Sequence, residues 1–348
     1  MNPTLAIVVR LVSVLGVMLA NGVFMIYLLR KVLGHLHIRL GPMHVGWHGA
    51  LQTINDVVKL LTKEDLTPRA ADKALFFLAP MVVFVPSFMA YLALPFSGTL
   101  KATSLETGLL FTLAALSVVP IGILLAGWSS GNKWGLLGGM RAAAMQIAYE
   151  VPLLLSVLPI VMIAGTANLG EIVTAQAGGW ASPLLSWLPR WFITNPLLWP
   201  TFIIFAISSL IESNQTPFDM SESESEIVAG FSTEYSAMKF GLLFLSEFSN
   251  TFVVSALGVT LFFGGWLLPW VPMGWYDAVP VLAPTVFMLK TYLGIVFMWW
   301  IRGTFPRVRI DTLMDLGWKR LIPAALVMIV VTGVVDKLLA PLLAGMVG

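Results

Sequence analysis

Residues 1–31 read MNPTLAIVVRLVSVLGVMLANGVFMIYLLRK, an apolar run that closes on a basic pair, Arg30-Lys31. A bilayer core needs about 20 apolar residues per helix, and this run supplies them. A secretory signal has the opposite order, with an early basic segment, a short apolar core and a cleavage site. The run is therefore expected to be a retained first membrane helix.

Working outward, the same length criterion finds eight apolar segments, roughly 5–28, 74–97, 105–128, 142–166, 193–213, 238–267, 280–301 and 321–344. The whole chain of 348 residues is 58% hydrophobic and only 11% charged, with mean hydropathy +0.88; soluble domains carry about 25% charged residues. The expected fold is all-α: a polytopic membrane protein with eight transmembrane helices and one amphipathic interfacial helix, forming a single domain over 1–348. Pro80, Pro86, Pro120, Pro152 and Pro159 fall inside the spans. Bundled membrane helices tolerate such breaks, and a simple kink accounts for them. No internal repeat is evident, which argues against the inverted repeats of many carriers.

With eight crossings, the segments 30–73, 128–141, 213–239 and 302–320 share one side and hold 15 of the 20 basic residues. The positive-inside rule makes that side cytoplasmic and puts both termini on the non-cytoplasmic side. The net charge is +2 with no basic run, so no nucleic-acid partner is expected. The chain has no Cys, which excludes disulfides and thiolate-held clusters within it.

The first loop is not featureless. In 49–64, GALQTINDVVKLLTKE, the apolar residues Leu51, Ile54, Val57, Val58 and Leu61 recur at helical spacing, with Asp56, Lys59 and Lys63 off that stripe. The pattern is an amphipathic helix in the interface. It either packs on the bundle or walls a lateral opening for a lipophilic substrate. All four histidines, His35, His37, His44 and His48, lie in this loop. His44 and His48 have i, i+4 spacing, but Gly41-Pro42 and Gly46 oppose a regular helix, so no metal site is expected. In the loop 168–192, Trp180, Trp187 and Trp191 fit an aromatic belt.

The chemistry concentrates in 212–234, ESNQTPFDMSESESEIVAGFSTE, expected as a cytoplasmic loop over 212–236. It holds Glu212, Asp219, Glu222, Glu224, Glu226 and Glu234, and no Lys or Arg occurs between Arg190 and Lys239. A solvated acidic loop is the ordinary fate of such a run. Here apolar Pro217, Phe218, Met220, Ile227, Val228 and Phe231 interleave the acids, which a solvated tail does not need. Repulsion and desolvation favour the protonated form, and neighbouring acids titrate as one coupled set. The segment is thus suited to taking up and releasing protons, with the basic loops 30–73 and 302–320 available to neutralise it in part. Within the spans, Glu150 and Glu247 are candidates to continue a proton path. Arg10 and Lys290 are read as counter-ions or snorkelling residues. No nucleotide fingerprint, Walker motif, nucleophile elbow or zincin pattern is present.

Four blocks carry a family resemblance: RLGPMHVGWHGALQTINDVVKLLTKE at 39–64, RAAAMQIAYEVPLLL at 141–155, the stretch from Glu212 to Phe248, and more weakly WWIRGTFPRVRIDTLMDLGWK at 299–319. In order and spacing the chain resembles the membrane subunit called H in bacteria, and subunit 1 in mitochondria, of NADH:quinone oxidoreductase (respiratory complex I). The resemblance implies eight helices at the joint between the redox arm and the membrane arm, around a chamber that admits quinone. It implies a proton-coupling role, in a bacterial plasma membrane, for Asp56, Glu150, Glu212, Glu222, Glu224, Glu226, Glu234 and Glu247. Arg30, Gly41, Lys59, Phe218, Asp219, Phe231 and Arg302 would border the chamber, with Arg141 matching a further basic residue near the path. The stretch 49–64 would sit at the chamber mouth. Quinone would be the substrate, and NADH, FMN and iron–sulfur clusters would belong to partner subunits, with no cofactor in this chain. Implied partners are the quinone-site and terminal iron–sulfur subunits, small membrane subunits, antiporter-like subunits and the lipid bilayer.

Departures from the family pattern are Leu29 for the usual Glu, Met43 for Asn, Trp47 for Pro and Gln215 for Arg. Leu29 and Gln215 together replace an acid and a base by neutral groups, and losing both members of a pair costs less than losing one. The membrane subunit of an energy-converting hydrogenase shares the acidic loop without the quinone and is the alternative, less favoured by the intact 39–64 block. An independent ion-coupled carrier is disfavoured by the missing repeat.

Overall fold

The computed structural model describes residues 3–347 except 99, 101, 104, 178–188, 220–227, 270, 272 and 273. Glu222, Glu224, Glu226, Trp180 and Trp187 lie outside the described residues. The described elements are α1 (Pro3–Leu36), α2 (Gln52–Thr62), α3 (Lys73–Ala93), α4 (Gly108–Leu116), α5 (Val119–Ser129), α6 (Lys133–Ala164), α7 (Leu169–Ala175), α8 (Trp199–Glu212), α9 (Ala237–Phe262), α10 (Gly274–Ala278), α11 (Leu282–Thr304), α12 (Ile310–Asp315) and α13 (Ile322–Val347). A π-type turn, Leu316–Leu321, joins the last two. No strand occurs among the described residues. Among the described residues, seven helical segments are long and apolar enough to cross a membrane, and the apolar stretch Pro196–Glu212 is shorter.

Boundaries depart from the hydropathy reading where packing overrides it. The fourth span, expected from 142, begins at Lys133. Asn132 caps it, its Oδ1 accepting from Trp134 N at 3.1 Å. Glycines made 133–141 look like a loop, but they are the contact surface. A Cβ on Gly138 would lie 2.6 Å from Gly230 Cα, and one on Gly127 of α5 would lie 2.4 Å from the Gly135 carbonyl oxygen. Small residues let membrane helices approach this closely. As a result Glu150, expected a third of the way into its span, sits near the middle of a 32-residue helix. The third span is broken into α4 and α5. Pro120 has no N–H to offer the carbonyl of Leu116, the last residue of α4. Pro80, Pro86, Pro152 and Pro159 stay within continuous helices.

α9 is the axis of the bundle: 78% of its most apolar window is buried, the largest share of any span. It carries Ser246, Ser249, Asn250, Thr251 and Ser255 into the interior. Ser87 of α3 donates to Asn250 Oδ1 at 2.8 Å, and Ser255 donates to the Thr291 carbonyl at 2.9 Å. Asn21 of α1 links α3 and α11, donating to Tyr91 Oη at 2.6 Å and accepting from the Tyr292 hydroxyl. Such interhelical bonds average only about 0.6 kcal/mol each. Close packing at the glycines is therefore the larger stabilising effect.

A Gly127→Ala substitution is expected to cost about 1–3 kcal/mol through overpacking, lowering both the yield and the melting temperature of the solubilised protein. Gly16→Ala, with nothing within 4 Å of the added Cβ, should change neither.

Candidate functional site

The acidic stretch begins where α8 stops. Asn214 takes a left-handed conformation (φ 49°), the Gln215 N–H returns to the Leu210 carbonyl at 3.0 Å, and the Asn214 N–H returns to Ile211 O at 3.0 Å. This paired closure caps the helix without glycine. It leaves Glu212 in the last turn, only 3% exposed. Glu212 Oε2 is buried without a hydrogen-bond partner among the described residues. Gln146 of α6 donates to the Glu212 backbone carbonyl at 3.4 Å, and Glu150, one turn further along α6, is within electrostatic reach of Glu212. Ser117, at the break between α4 and α5, lies near Glu150, its hydroxyl donating to the Ala114 carbonyl at 2.8 Å.

Polar atoms line this junction. Gln146 Oε1, Ser208 Oγ, Ser209 Oγ and Asn214 Oδ1 are also buried without partners among the described residues. Buried polar groups are normally satisfied by protein or by ordered water, and these five atoms, from α6, α8 and the turn after it, are each left open to such a partner. Sequence reading missed Gln146, Ser208 and Ser209, whose only signal was polarity at helical spacing in an apolar run.

The rest of the stretch is anchored at both ends. Beyond α8, Phe218 is buried and Asp219 lies 3.8 Å from Arg307. Val308 N–H donates to the Pro217 carbonyl at 3.1 Å. The basic loop 302–320 thus neutralises part of the acidic stretch, as expected. Gln215 is buried and accepts from Arg302 at 2.9 Å; its Nε2 donates to the Ser213 carbonyl at 3.0 Å and to Thr251 Oγ1 at 3.4 Å. At the other end Glu234 accepts from the Asn132 cap at 2.7 Å. Phe231 is buried, and Tyr235 stacks on Phe76 with centroids 4.1 Å apart. Burial pushes the Tyr235 phenol up to about 12, so it stays neutral beside Ser129. Glu247 is half-buried on α9, where its backbone carbonyl accepts from Thr251 at 2.9 Å.

The first loop meets the acidic stretch through its own ends. Lys239 pairs with Asp65 at 3.0 Å, and Leu66 N–H donates to Ser236 Oγ at 3.0 Å. Arg30 turns to Asp56 at 2.5 Å, tying α1 to α2. Gly41 packs on α1, a Cβ there lying 3.1 Å from the Arg30 carbonyl. Lys59 is exposed. Helix α2 holds the bundle with buried Thr53, while Leu51, Ile54, Val58 and Leu61 of its apolar stripe are exposed. The stripe therefore faces away from the bundle. No cluster able to hold a metal ion occurs among the described residues.

A sequence-family model described as NADH dehydrogenase matches residues 9–333. The H subunit of NADH-quinone oxidoreductase from Dehalococcoides mccartyi (strain CBDB1) is 42% identical over 336 residues, covering 96% of this chain and 88% of the relative. Its counterpart from Anoxybacillus flavithermus is 44% identical over 311 residues, covering 89% and 87%. That of Geobacillus kaustophilus is 44% identical over 322 residues, covering 92% and 91%. The chain belongs to this NADH-quinone oxidoreductase family. It is a multi-pass membrane protein, which in bacteria places it in the plasma membrane, and a component of an enzyme complex. The hydrogenase alternative is not favoured.

Against the family pattern, Leu29 packs in the large apolar cluster around α9, and Met43 Sδ accepts from Lys31 at 3.2 Å. Trp47 is exposed and meets His48 edge-on. Gln215 serves as acceptor for Arg302, a role the usual Arg of the family cannot fill. Gln215→Arg should therefore lower the yield of assembled complex, measured on native gels. Gln215→Leu should do the same through the guanidinium it leaves short of an acceptor.

Proposed function

We propose that this chain is the quinone-chamber and proton-coupling membrane subunit of a proton-pumping NADH:quinone oxidoreductase. In this reading it crosses the membrane eight times as one helical domain, the short α8 completing the count, with both termini on the non-cytoplasmic side. The acidic loop 212–236 then faces the cytoplasm and the peripheral redox arm. Quinone is reduced on a partner subunit, and NADH, FMN and iron–sulfur clusters belong to partners. This chain's share is to shape the chamber and to move protons.

The observation that carries this reading is Glu212: buried, short of a partner for Oε2, and within electrostatic reach of Glu150. A carboxylate so placed changes its proton affinity when charge nearby changes. Reduction of quinone supplies such a change, and the coupled acids Glu222, Glu224, Glu226 and Glu234 pass it to Glu212. Water held by Gln146, Ser208 and Ser209 would carry the proton on to Glu150, and Glu247 continues the path along α9. Moving one elementary charge against 100 mV costs about 2.3 kcal/mol, which an approximately fiftyfold change in proton affinity matches. On the chamber side stand Phe218, Asp219 and Phe231 of the acidic stretch itself, with Arg302 from α11. Arg30, Gly41, Asp56 and Lys59 form the mouth with α2, whose outward apolar stripe suits a lipophilic substrate arriving from the bilayer.

Glu212→Gln preserves shape and removes the exchangeable proton. In membrane vesicles it should cut quinone-dependent proton pumping by on the order of a hundredfold, the lower end of what a positioned proton carrier contributes. NADH oxidation by a hydrophilic artificial acceptor should remain intact. Wild-type pumping by Glu212→Gln would overturn the assignment.

A further inference from the structure

Helix α1 turns a narrow face to the bundle. Val14, Met18, Asn21, Met25 and Leu29 are buried along it, and Asn21 is the one polar residue on that face. Leu5 and residues 7–13 are exposed. Such a face holds a helix in place weakly. Lipid tails are as apolar as its side chains, so no hydrophobic force drives helix association in the bilayer, and methionine adapts to whatever it meets.

Asn21 is different, because both halves of its amide are engaged. Nδ2 donates to Tyr91 Oη of α3 at 2.6 Å, and Oδ1 accepts from the Tyr292 hydroxyl of α11. The two phenols are fixed by aromatic packing. Tyr91 stacks on Phe252 of α9 with centroids 5.1 Å apart, and Tyr292 meets Phe24 of α1 and Phe252 edge-on at 5.0 and 6.2 Å. A single buried Asn on an apolar helix face fixes register in coiled coils. Here a shift of α1 by one residue moves each side chain about 1.5 Å along the axis and about 100° around it, which breaks both bonds.

The cytoplasmic end of α1 carries the first loop. The Tyr27 hydroxyl donates to the His48 carbonyl at 3.2 Å, Arg30 pairs with Asp56 at 2.5 Å, and a Cβ on Gly34 would lie 3.1 Å from Gly41 N. Arg30 stands nine residues, about 14 Å, beyond Asn21 on the same helix. A change of register at Asn21 therefore takes Arg30 off Asp56.

We propose that Asn21 is a positioning residue for quinone entry: by locking α1 in register with α3 and α11, it sets where the end of α1 meets α2. This rests on the reading of α2 as the chamber mouth. The locked register is the entry-competent one, so loss of the lock lowers apparent quinone affinity by the fraction of molecules that leave it.

The test measures reduction of a decyl-tailed quinone by the assembled complex in membrane vesicles, with NADH oxidation by a hydrophilic acceptor as the measure of assembly. Asn21→Leu keeps the volume and removes both bonds. Its quinone KM should rise roughly sevenfold, the worth of two interhelical bonds, with kcat unchanged. Tyr292→Phe keeps the ring and removes one bond, and its KM should rise roughly threefold. Asn21→Asp, which in its neutral form keeps an acceptor and a donor, should return KM to the wild-type value. A wild-type KM in Asn21→Leu, a fall in kcat at constant KM, or no recovery in Asn21→Asp would overturn the proposal. If Asn21→Leu does not assemble, Tyr292→Phe decides by the same split, and its failure to assemble as well would make the network merely structural. Ile54→Gln on the α2 stripe separates this proposal from the reading beneath it. A raised KM there beside a wild-type KM in Asn21→Leu overturns the Asn21 assignment alone, whereas a wild-type KM in Ile54→Gln overturns the mouth and the proposal with it.

Discussion

In hydrocarbon no water meets a backbone amide, so each N–H and C=O must be satisfied within the chain. That constraint makes the described spans helices and confines polar side chains to the places where helices touch. α9 shows the outcome: Ser249, Asn250, Thr251 and Ser255 are all buried, Asn250 and Ser255 bonding to α3 and α11 while Ser249 and Thr251 donate to carbonyls of their own helix. Lys290 shows it more sharply. A buried charge is costly unless its donors are satisfied, and three carbonyls from one loop are arranged around this one.

Glu212 is the contrasting case. Its backbone carbonyl accepts from Gln146, but Oε2 has no partner among the described residues, and the same holds for Gln146 Oε1, Ser208 Oγ and Ser209 Oγ. A bundle that cages Lys290 so completely has the means to satisfy these atoms, yet it leaves them where two helices meet.

The acidic stretch acts as a tie between two parts of the bundle. Its first limb is held by Arg302 at the end of α11 and by Arg307 and Val308 beyond it, and its second by Asn132, Ser129 and Phe76 from α3, α5 and the start of α6. Gln215 belongs to the first limb: by accepting from Arg302 it makes a neutral junction where the family usually has a second base, so the departure is accommodated by a hydrogen bond rather than by Leu29, which packs among apolar residues.

Hydropathy alone was enough to place this chain in a membrane as a helical bundle, because apolar length is additive along the sequence and needs no partner. The acidic stretch was legible for the same reason: clustered carboxylates in an apolar chain stand out by composition. Packing decided the rest. Gly135, Gly138 and Gly139 look like helix breakers until the backbones they admit are seen, and that moved Glu150 to mid-helix. The stripe of α2 was visible as a periodicity, but only Thr53 against the bundle and the Arg30–Asp56 pair set which way it faces. Lys290 read as a counter-ion or a snorkelling residue, and the loop at Gly264 and Gly265 supplies the carbonyls it bonds. In each case the deciding contacts join residues far apart in the chain, and no local pattern encodes them.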